Sequence, residues 1–301
     1  MSKSYVLFNP HAGNNTGKGS AEKIKELYNE KELLFLDITN ITDYSEFVSG
    51  LDADDSIIIC GGDGTLNRFV NSIYDLNVNN EILYFAAGSG NDFLRDIDGV
   101  DGSAPFRINE YICDLPVVTV NGKSYRFING VGFGIDGYCC EVGDQLRAKN
   151  TGKPINYAGI AIKGLLFHYK PARATITVDG VSHTYKKAWL APTMSGRYYG
   201  GGMIPTPHQT REERKEKLSV GIIHDSGKLK TLLIFPSIFK GEHIKHKKKV
   251  DEFSGKKITV EYSHPVALQI DGETILNVTK YEACIPSLYV KKEDTVSATE
   301  A

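Results

Sequence analysis

The 301-residue chain reads as α/β plus all-β, an N-terminal doubly wound α/β domain followed by a C-terminal antiparallel β-sandwich domain. Three observations lead there. Apolar strand-like and helix-like segments alternate as far as about Asp98, the pattern of a parallel sheet covered on both faces. Beyond about Glu110 the rhythm changes to short β-rich runs, with Asn121-Gly122 and Asp179-Gly180 placed between them as hairpin turns. The length also exceeds that of an ordinary single domain. The expected division is 1–110 and 111–285, with 286–301 a candidate to return to the first domain.

In order, the first part is expected to hold a strand over 5–8, a helix over 20–29, a strand over 33–38, a helix near 44–51, a strand over 56–60, a helix over 66–74 and a strand over 82–86. The second is expected to hold strands over 111–120, 125–130, 174–178, 183–191, 218–223, 257–262 and 266–270, interrupted by helices over 155–169 and 228–239. Doubly wound sheets bind ligands at the carboxyl ends of their strands. Three of the first domain's strands end in small polar residues: Asn9-Pro10-His11-Ala12-Gly13, Gly61-Gly62-Asp63-Gly64-Thr65 and Ala87-Gly88-Ser89-Gly90-Asn91-Asp92. One rim would gather all three.

The Gly61–Thr65 run carries the most chemistry. Absent or short side chains let backbone N–H groups approach an anion, and a following helix adds partial positive charge at its N-terminus. Asp63 would repel a phosphate unless Mg2+ or ordered water bridges the two. A purely structural turn is the plain alternative, since glycine also answers a tight bend. With Asn9 and Asn91-Asp92 on the same rim, nucleotide binding is the expected outcome, and Arg95 could balance the carboxylates. The run Gly13-Asn14-Asn15-Thr16-Gly17-Lys18 is not a Walker A motif, because three residues separate its glycines and Gly19 follows the lysine.

Gln269-Ile270-Asp271-Gly272-Glu273 brings two carboxylates to a strand end. Alternate residues of an extended strand share a face, so Asp271 and Glu273 point into one cleft unless the glycine bend turns them apart. One could accept a proton while the other orients it or holds a metal ion. An inert hairpin tip is the competing reading. Lys245-His246-Lys247-Lys248-Lys249, with Lys256-Lys257 behind it, is the dense basic cluster. It is a solvated loop by default and a contact for anionic lipid head groups by the sharper reading. His243 and His246 lack supporting Cys or His partners, which discounts zinc. Ile155, Ala158, Ile162, Leu165 and Leu166 recur at near-helical spacing, as a buried face or as lining for an acyl chain.

Composition narrows the class. A net charge of -2 and a pI near 6.5 argue against bulk nucleic-acid binding, which shows as a basic excess. Cys60, Cys113, Cys139, Cys140 and Cys284 show no C-x-x-C spacing and sit mostly among apolar neighbours, as reduced cytosolic thiols do. No apolar run approaches a spanning helix, and Met1-Ser2-Lys3 leads into a strand rather than a signal peptide. The expectation is a cytoplasmic protein, at most peripheral at a membrane.

In their order these motifs resemble the diacylglycerol kinase catalytic family, which includes bacterial soluble lipid kinases and sphingosine and ceramide kinases. The carriers span nearly the whole chain: Asn9-Pro10 with Gly13, Gly61-Gly62-Asp63-Gly64-Thr65, Gly88-Ser89-Gly90-Asn91-Asp92-Phe93 with Arg95, Gly200-Gly201-Gly202-Met203, and Ile270-Asp271-Gly272-Glu273. Gly-Gly-Asp-Gly alone also occurs in NAD kinases and phosphofructokinases, so the ordered set is the more specific sign. The resemblance implies an active cleft between an ATP-binding α/β domain and a β-sandwich. By that resemblance Gly62, Asp63, Gly64, Thr65 and Asn67 bind ATP phosphates, with Asn9, Thr39 and Ser89 around the nucleotide and Gly13, Gly61, Asn91 and Asp92 on the same rim. Asp63 would support Mg2+ or the reacting phosphoryl group. Asp271 and Glu273 would form the base region, Glu273 the favoured proton acceptor and Asp271 its close partner.

Two departures stand out. Ser89 stands where the family commonly has Thr. Glu216-Lys217-Leu218 stands where the family often has Asp-Gly-Leu, whose Asp belongs to an accessory metal site in some bacterial lipid kinases. The expected activity is ATP-dependent phosphorylation of a hydroxyl of diacylglycerol or a related lipid, with ATP and Mg2+ as cofactors and a lipid substrate at a membrane surface as partner. The oligomeric state is open, a homodimer included. A kinase of a soluble polyol or nucleotide, NAD-kinase-like, and a non-catalytic nucleotide- or lipid-binding regulator are the alternatives.

Overall fold

The computed structural model describes residues 2–10, 12, 16–28, 32–99, 102–149 and 155–290. The first domain runs β1 (Lys3–Phe8), α1 (Gly17–Glu22), α2 (Ile24–Leu27), β2 (Glu32–Asp37), α3 (Tyr44–Ser49), β3 (Ser56–Gly61), α4 (Asp63–Ile73), β4 (Glu81–Ala86), α5 (Asp92–Asp96) and β5 (Phe106–Arg107). Its strands lie in the order β2-β1-β3-β4-β5, the first four parallel and β5 antiparallel to β4.

Period-two alternation explains the two-sided packing. Val6, Ile58, Cys60, Leu83 and Phe85 meet Ala21 and Ile24 on one face, whereas Leu7, Ile57, Ile59, Ile82 and Tyr84 meet Leu66, Phe69 and Phe93 on the other. Helices therefore cover both faces, as a doubly wound sheet requires. From β1 the chain goes first to β2 on one side and then to β3 on the other. The ends of β1 and β3 flank that reversal, which is where such sheets open a crevice.

Two helix boundaries differ from the sequence expectation. The helix expected over 20–29 begins at Gly17 and breaks at Lys23. A Cβ on Gly17 would lie 1.8 Å from the Asn9 carbonyl oxygen, so only glycine lets this helix start against the end of β1. The helix expected from Leu66 already begins at Asp63, with Gly62 as its extended N-cap. Asp63, Gly64 and Thr65 are thus the first helical turn rather than a loop.

The second domain runs α6 (Asn109–Ile112), β6 (Val117–Val120), β7 (Lys123–Arg126), β8 (Gly130–Gly134), α7 (Ile135–Ala148), α8 (Tyr157–Lys163), β9 (Ala172–Val178), β10 (Val181–Met194), β11 (Leu218–His224), α9 (Lys228–Ile234), β12 (Val250–Gly255), β13 (Lys257–Ile270) and β14 (Glu273–Cys284). All its pairings are antiparallel, in the order β12-β11-β10-β8-β13-β14-β6-β7. The long strands β10 and β13 each pair with β9 along one half and with β8 along the other, irregular at Tyr185/Ala188 and Glu261/Val266. The sheet folds over a core that includes Phe127, Phe133, Ile176, Val260, Leu268 and Tyr281.

Several elements depart from the reading of the sequence. The strand expected over 111–120 begins only at Val117, because Asn109 clamps α6 to the first sheet: its Oδ1 accepts from Ile82 N at 2.9 Å and its Nδ2 donates to Asn80 O at 3.0 Å. The strand expected over 125–130 is instead the end of β7, a bend at 127–129 and the start of β8. The two runs 257–262 and 266–270 are one strand with its irregularity beside Pro265. α7, β12 and β14 were not expected. Gly137 and Gly143 hide α7 by lowering helix propensity, yet Gly137 is needed, since a Cβ there would lie 2.1 Å from Ala267 O. Asn121-Gly122 and Asp179-Gly180 both have two positive φ angles, as type I′ hairpin turns require.

A buried ion pair closes the domain junction. Arg211 and Asp96 are 2% and 3% exposed, with Nε 2.7 Å from Oδ2. The same guanidinium donates to Ile128 O at 2.8 Å and to Asn129 Oδ1 at 2.7 Å, and lies over the Phe93 ring. At the C-terminal end Tyr289 joins Tyr74 of the first domain around Arg126, at 4.7 and 4.0 Å from ring centroid to guanidinium. The polar tail expected from Lys291 to Ala301 lies outside the described residues.

Removing one partner of a buried pair strands the other's charge. Arg211→Met is expected to lower the unfolding free energy by about 3–5 kcal/mol in urea titration. Asp96→Leu combined with Arg211→Met should cost clearly less than the two single changes added together, and strict additivity would show the ion pair to be unimportant.

Candidate functional site

The ends of β1, β3 and β4 meet through bare backbone. A Cβ on Gly88 would lie 2.5 Å from the Gly62 Cα, and one on Gly61 would lie 2.6 Å from the Thr65 Cβ. Tyr84 OH donates to Gly61 O at 3.0 Å, and Asn9 Nδ2 donates to Thr65 Oγ1 at 3.3 Å. Asn91 is left-handed (φ 49°), its Oδ1 accepting from Gly88 N at 3.0 Å. Asn9, Gly61, Gly62, Gly64, Thr65, Ser89 and Asn91 are thereby brought to one rim, with Ser89 exposed. Thr39 lies at the end of β2, exposed, its hydroxyl bonded to Asp37 Oδ1 at 2.7 Å. Gly13 lies outside the described residues.

Three carboxylates tie this rim together and to the second domain. Asp63 Oδ1 accepts from Phe93 N at 2.8 Å and from Asn129 Nδ2 at 3.1 Å, and its Oδ2 accepts from Asp92 N at 3.0 Å. Asp63 thus caps α5 while reaching across the junction. Asp92, buried, accepts from Gly201 N at 2.8 Å and Gly202 N at 2.7 Å, which draws the Gly200–Gly202 loop against Gly90. Burial first, then the Asp63 carboxylate, push the Asp92 carboxyl up to about 6, against the pull of the two glycine N–H groups. Arg95 lies across Gly202, where a Cβ would come 2.1 Å from its Nη1, and 3.6 Å from Asp92 Oδ1.

Asp271 is the third. With Gly272 it forms the type I′ turn between β13 and β14, at φ 47° and 89°. Its Oδ2 accepts from Ile128 N at 2.6 Å and Asn67 Nδ2 at 2.7 Å, and its Oδ1 accepts from Asn129 N at 2.8 Å and Gly130 N at 2.9 Å. Burial pushes its carboxyl up to about 6, opposed by the three backbone N–H groups. Four donors and no acceptor surround it, the arrangement that suits an ionised carboxylate. Asn67 gives its remaining amide hydrogen to Arg126 O at 2.9 Å. Asn67 is therefore a buried tie between domains rather than a group open to the crevice.

Glu273 goes the other way. The turn separates it from Asp271, and its side chain lies over Gly64 at the start of α4, with Oε1 2.9 Å from where a Cβ would stand. Its Oε2 is 2.6 Å from Arg68 Nη2, and the side chain is 40% exposed. Oε1 carries no hydrogen bond from a described residue. One carboxylate is fully engaged and the other has an accessible oxygen facing the glycine turns.

The described residues hold no group of three His, Cys, Asp or Glu side chains able to cage a metal. Asp63 has one oxygen lone pair beyond its three bonds, which fits Mg2+ held by a single carboxylate together with phosphate and water. At the accessory position Glu216 is exposed, while Lys217 pairs with Glu213 at 2.9 Å.

Asn129 and Arg211 were missed by sequence reasoning. Arg211 sits in a run of charges that reads as surface, and nothing local marks it as buried. Gln269, within the strand-end motif, has a structural part: its Oε1 accepts from Gly272 N at 2.9 Å and its Nε2 faces buried Asp136 Oδ2 at 3.4 Å. Burial pushes the Asp136 carboxyl up to about 6.

Residues 3–113 match the diacylglycerol kinase catalytic domain, and residues 129–290 match the YegS C-terminal NAD kinase beta sandwich-like domain. The chain is 23% identical to YtlR of Bacillus subtilis (strain 168), whose name provisionally calls it a lipid kinase, over 93% of this chain and 96% of that one. It is 24% identical to the diacylglycerol kinase of Mycobacterium tuberculosis (strain H37Rv), over 73% of this chain and 70% of that one. A crystal structure titled as a diacylglycerol kinase from Bacillus anthracis str. Sterne has the same fold, with a TM-score of 0.60 at 21% identity, covering 95% and 94% of the two chains.

Asp136 keeps its proton to about pH 6 when folded, against an ordinary value of 3.8. Between these values the folded state binds more protons than the unfolded one, so stability falls as pH rises through that window. Asp136→Asn is expected to flatten the fall and to be up to about 2 kcal/mol more stable than wild type near pH 8. Urea unfolding near pH 5 and pH 8 checks this, and a variant markedly weaker near pH 8 would contradict it.

Proposed function

We propose, from the premise that this chain belongs to the diacylglycerol kinase catalytic family, that it transfers the γ-phosphoryl group of ATP to a hydroxyl of diacylglycerol or a related lipid at a membrane surface. The observation that carries the reading is the accessible Glu273 oxygen standing over Gly64, opposite the glycine turns. No helix among the described residues is long and apolar enough to cross a membrane, so the lipid would be met at the interface. The relatives named as lipid and diacylglycerol kinases support the lipid as acceptor.

The residues divide the work. Backbone N–H groups at Gly62 and the start of α4 would bind the phosphates, aided by the helix dipole of an 11-residue helix. Asp63 would hold Mg2+, which neutralises charge on the β- and γ-phosphates when bound. Glu273 Oε1 would orient the lipid hydroxyl and take its proton as the oxygen bonds to the γ-phosphorus; the bond from that phosphorus to the β–γ bridging oxygen breaks, and ADP leaves with the electron pair. Asp271 cannot share this task without giving up one of its four donors. Its part is to position the turn that carries Glu273.

Glu273 is the cleaner residue to test, because Asp63 also caps α5 and its loss would disturb the fold. The exposed Arg68–Glu273 pair contributes at most about 1 kcal/mol, so Glu273→Gln should fold normally. It is expected to lower kcat by roughly 100- to 10,000-fold while ATP affinity is retained. The assay combines labelled ATP, Mg2+ and total lipid extract, and identifies the species that acquires label. Undiminished transfer by Glu273→Gln would remove the base assignment, and label on no lipid would remove the reading itself.

A further inference from the structure

Three helical segments of the second domain pack on one buried cluster that includes Ile135, Leu165, Trp189, Ile234 and Ile238. They are α8 with its continuation through Gly164–His168, α9, and the 3-10 turns over Phe235–Lys240 and Glu242–Lys245. Helices that bury one face ordinarily set polar residues on the other. Here the outward face is apolar: Ile162, Phe167, Leu229, Leu233 and Phe239 are 48%, 71%, 73%, 76% and 46% exposed. Leu229 and Leu233 are one turn apart on α9. Lys228 Nζ donates to Leu166 O at 2.8 Å, which holds the start of α9 beside the segment carrying Phe167.

The stretch that carries Leu229, Leu233 and Phe239 is strongly basic. Residues 228–249 contain seven lysines against one acid, Glu242, in a chain whose net charge is -2. Lys245 is engaged by Glu242. Lys230, Lys247 and Lys248 are exposed and make no ion pair with any described residue.

We propose that this face docks on an anionic phospholipid bilayer, its leucines and phenylalanine side chains entering the head-group boundary and its lysines meeting lipid phosphates. A second copy of the chain is the poorer occupant, because a two-fold contact through the same patch would oppose lysine to lysine. Tyr199 and Met203, on either side of the glycine loop held by Asp92, belong to the same buried cluster. The docked helices and that edge of the crevice therefore share one core. The proposal rests on the lipid-kinase reading, which supplies the membrane.

The test uses the full chain with vesicles of equimolar phosphatidylglycerol and phosphatidylcholine, and of phosphatidylcholine alone, read by sedimentation. Wild type is expected to bind the anionic vesicles preferentially, and less as salt is raised. Leu229→Ser with Leu233→Ser, and separately Lys230→Glu with Lys247→Glu and Lys248→Glu, should each lower partitioning by at least about tenfold. The leucine variant should keep wild-type activity on a short-chain diacylglycerol dissolved as monomer. Equal binding to both vesicle types, or leucine variants that bind as wild type, would overturn the proposal. So would a wild-type dimer that ignores vesicles and dissociates on the leucine changes. Vesicle binding without phosphoryl transfer would sink the kinase reading alone, whereas transfer to the short-chain lipid without vesicle binding would sink the docking face alone.

Discussion

The arrangement of the crevice depends on the Asp271 carboxylate. A buried anion left without partners costs several kcal/mol, and this one is matched by four donors, three of them successive backbone N–H groups at Ile128, Asn129 and Gly130. Because the bend is held, the Asn129 side chain is presented to Asp63 and Arg211. Because Asn67 supplies the fourth donor, α4 is held against the turn.

The junction as a whole follows the same chemistry. Asp63, Asp92 and Asp96 of the first domain accept from Asn129, Gly201, Gly202 and Arg211 of the second, and Asp271 of the second accepts from Asn67 of the first. A crevice suited to a charged ligand cannot be lined with apolar groups without leaving that ligand's charge unanswered. Carboxylates answered by backbone and amide donors hold the lobes while keeping the lining polar. The contact of Gly62 with Gly88 fits this constraint, since it brings backbone to backbone where a side chain on Gly88 would wedge the turns apart.

The sequence made some of this legible for local reasons. The runs in β1, β3 and β4 are near-continuous apolar stretches because both faces are buried, and the turns after them are marked by glycine. The asparagine-glycine and aspartate-glycine hairpins declared themselves through the backbone conformation they need. What stayed hidden depends on distant partners. Asn129 meets Asp63 across 66 positions and Asn67 meets Asp271 across 204, and no spacing rule reaches that far. Arg211 lay in a run of charges whose burial is decided by Asp96 and the Ile128 carbonyl. β14 interleaves Glu273, Asn277, Lys280 and Glu282 with its apolar residues and shifts register against β13, so its apolar signal is too thin to read.

The relation between Asp271 and Glu273 turns on the glycine bend, whose effect the sequence spacing left open. Two residues apart in an extended strand they would share a face, but the left-handed turn lies at Asp271 itself, and Glu273 is the first residue after it, paired across the hairpin with Ile270. The two carboxylates therefore diverge. One is removed from water and held by four donors; the other stays half exposed, with an oxygen that no described residue bonds. A group so fully coordinated is poorly suited to exchange a proton but well suited to define a position, and in the proposed reaction it aims the neighbouring acid at the phosphate turns. The pairing of a fully bonded anion with an accessible one follows from a single turn of backbone.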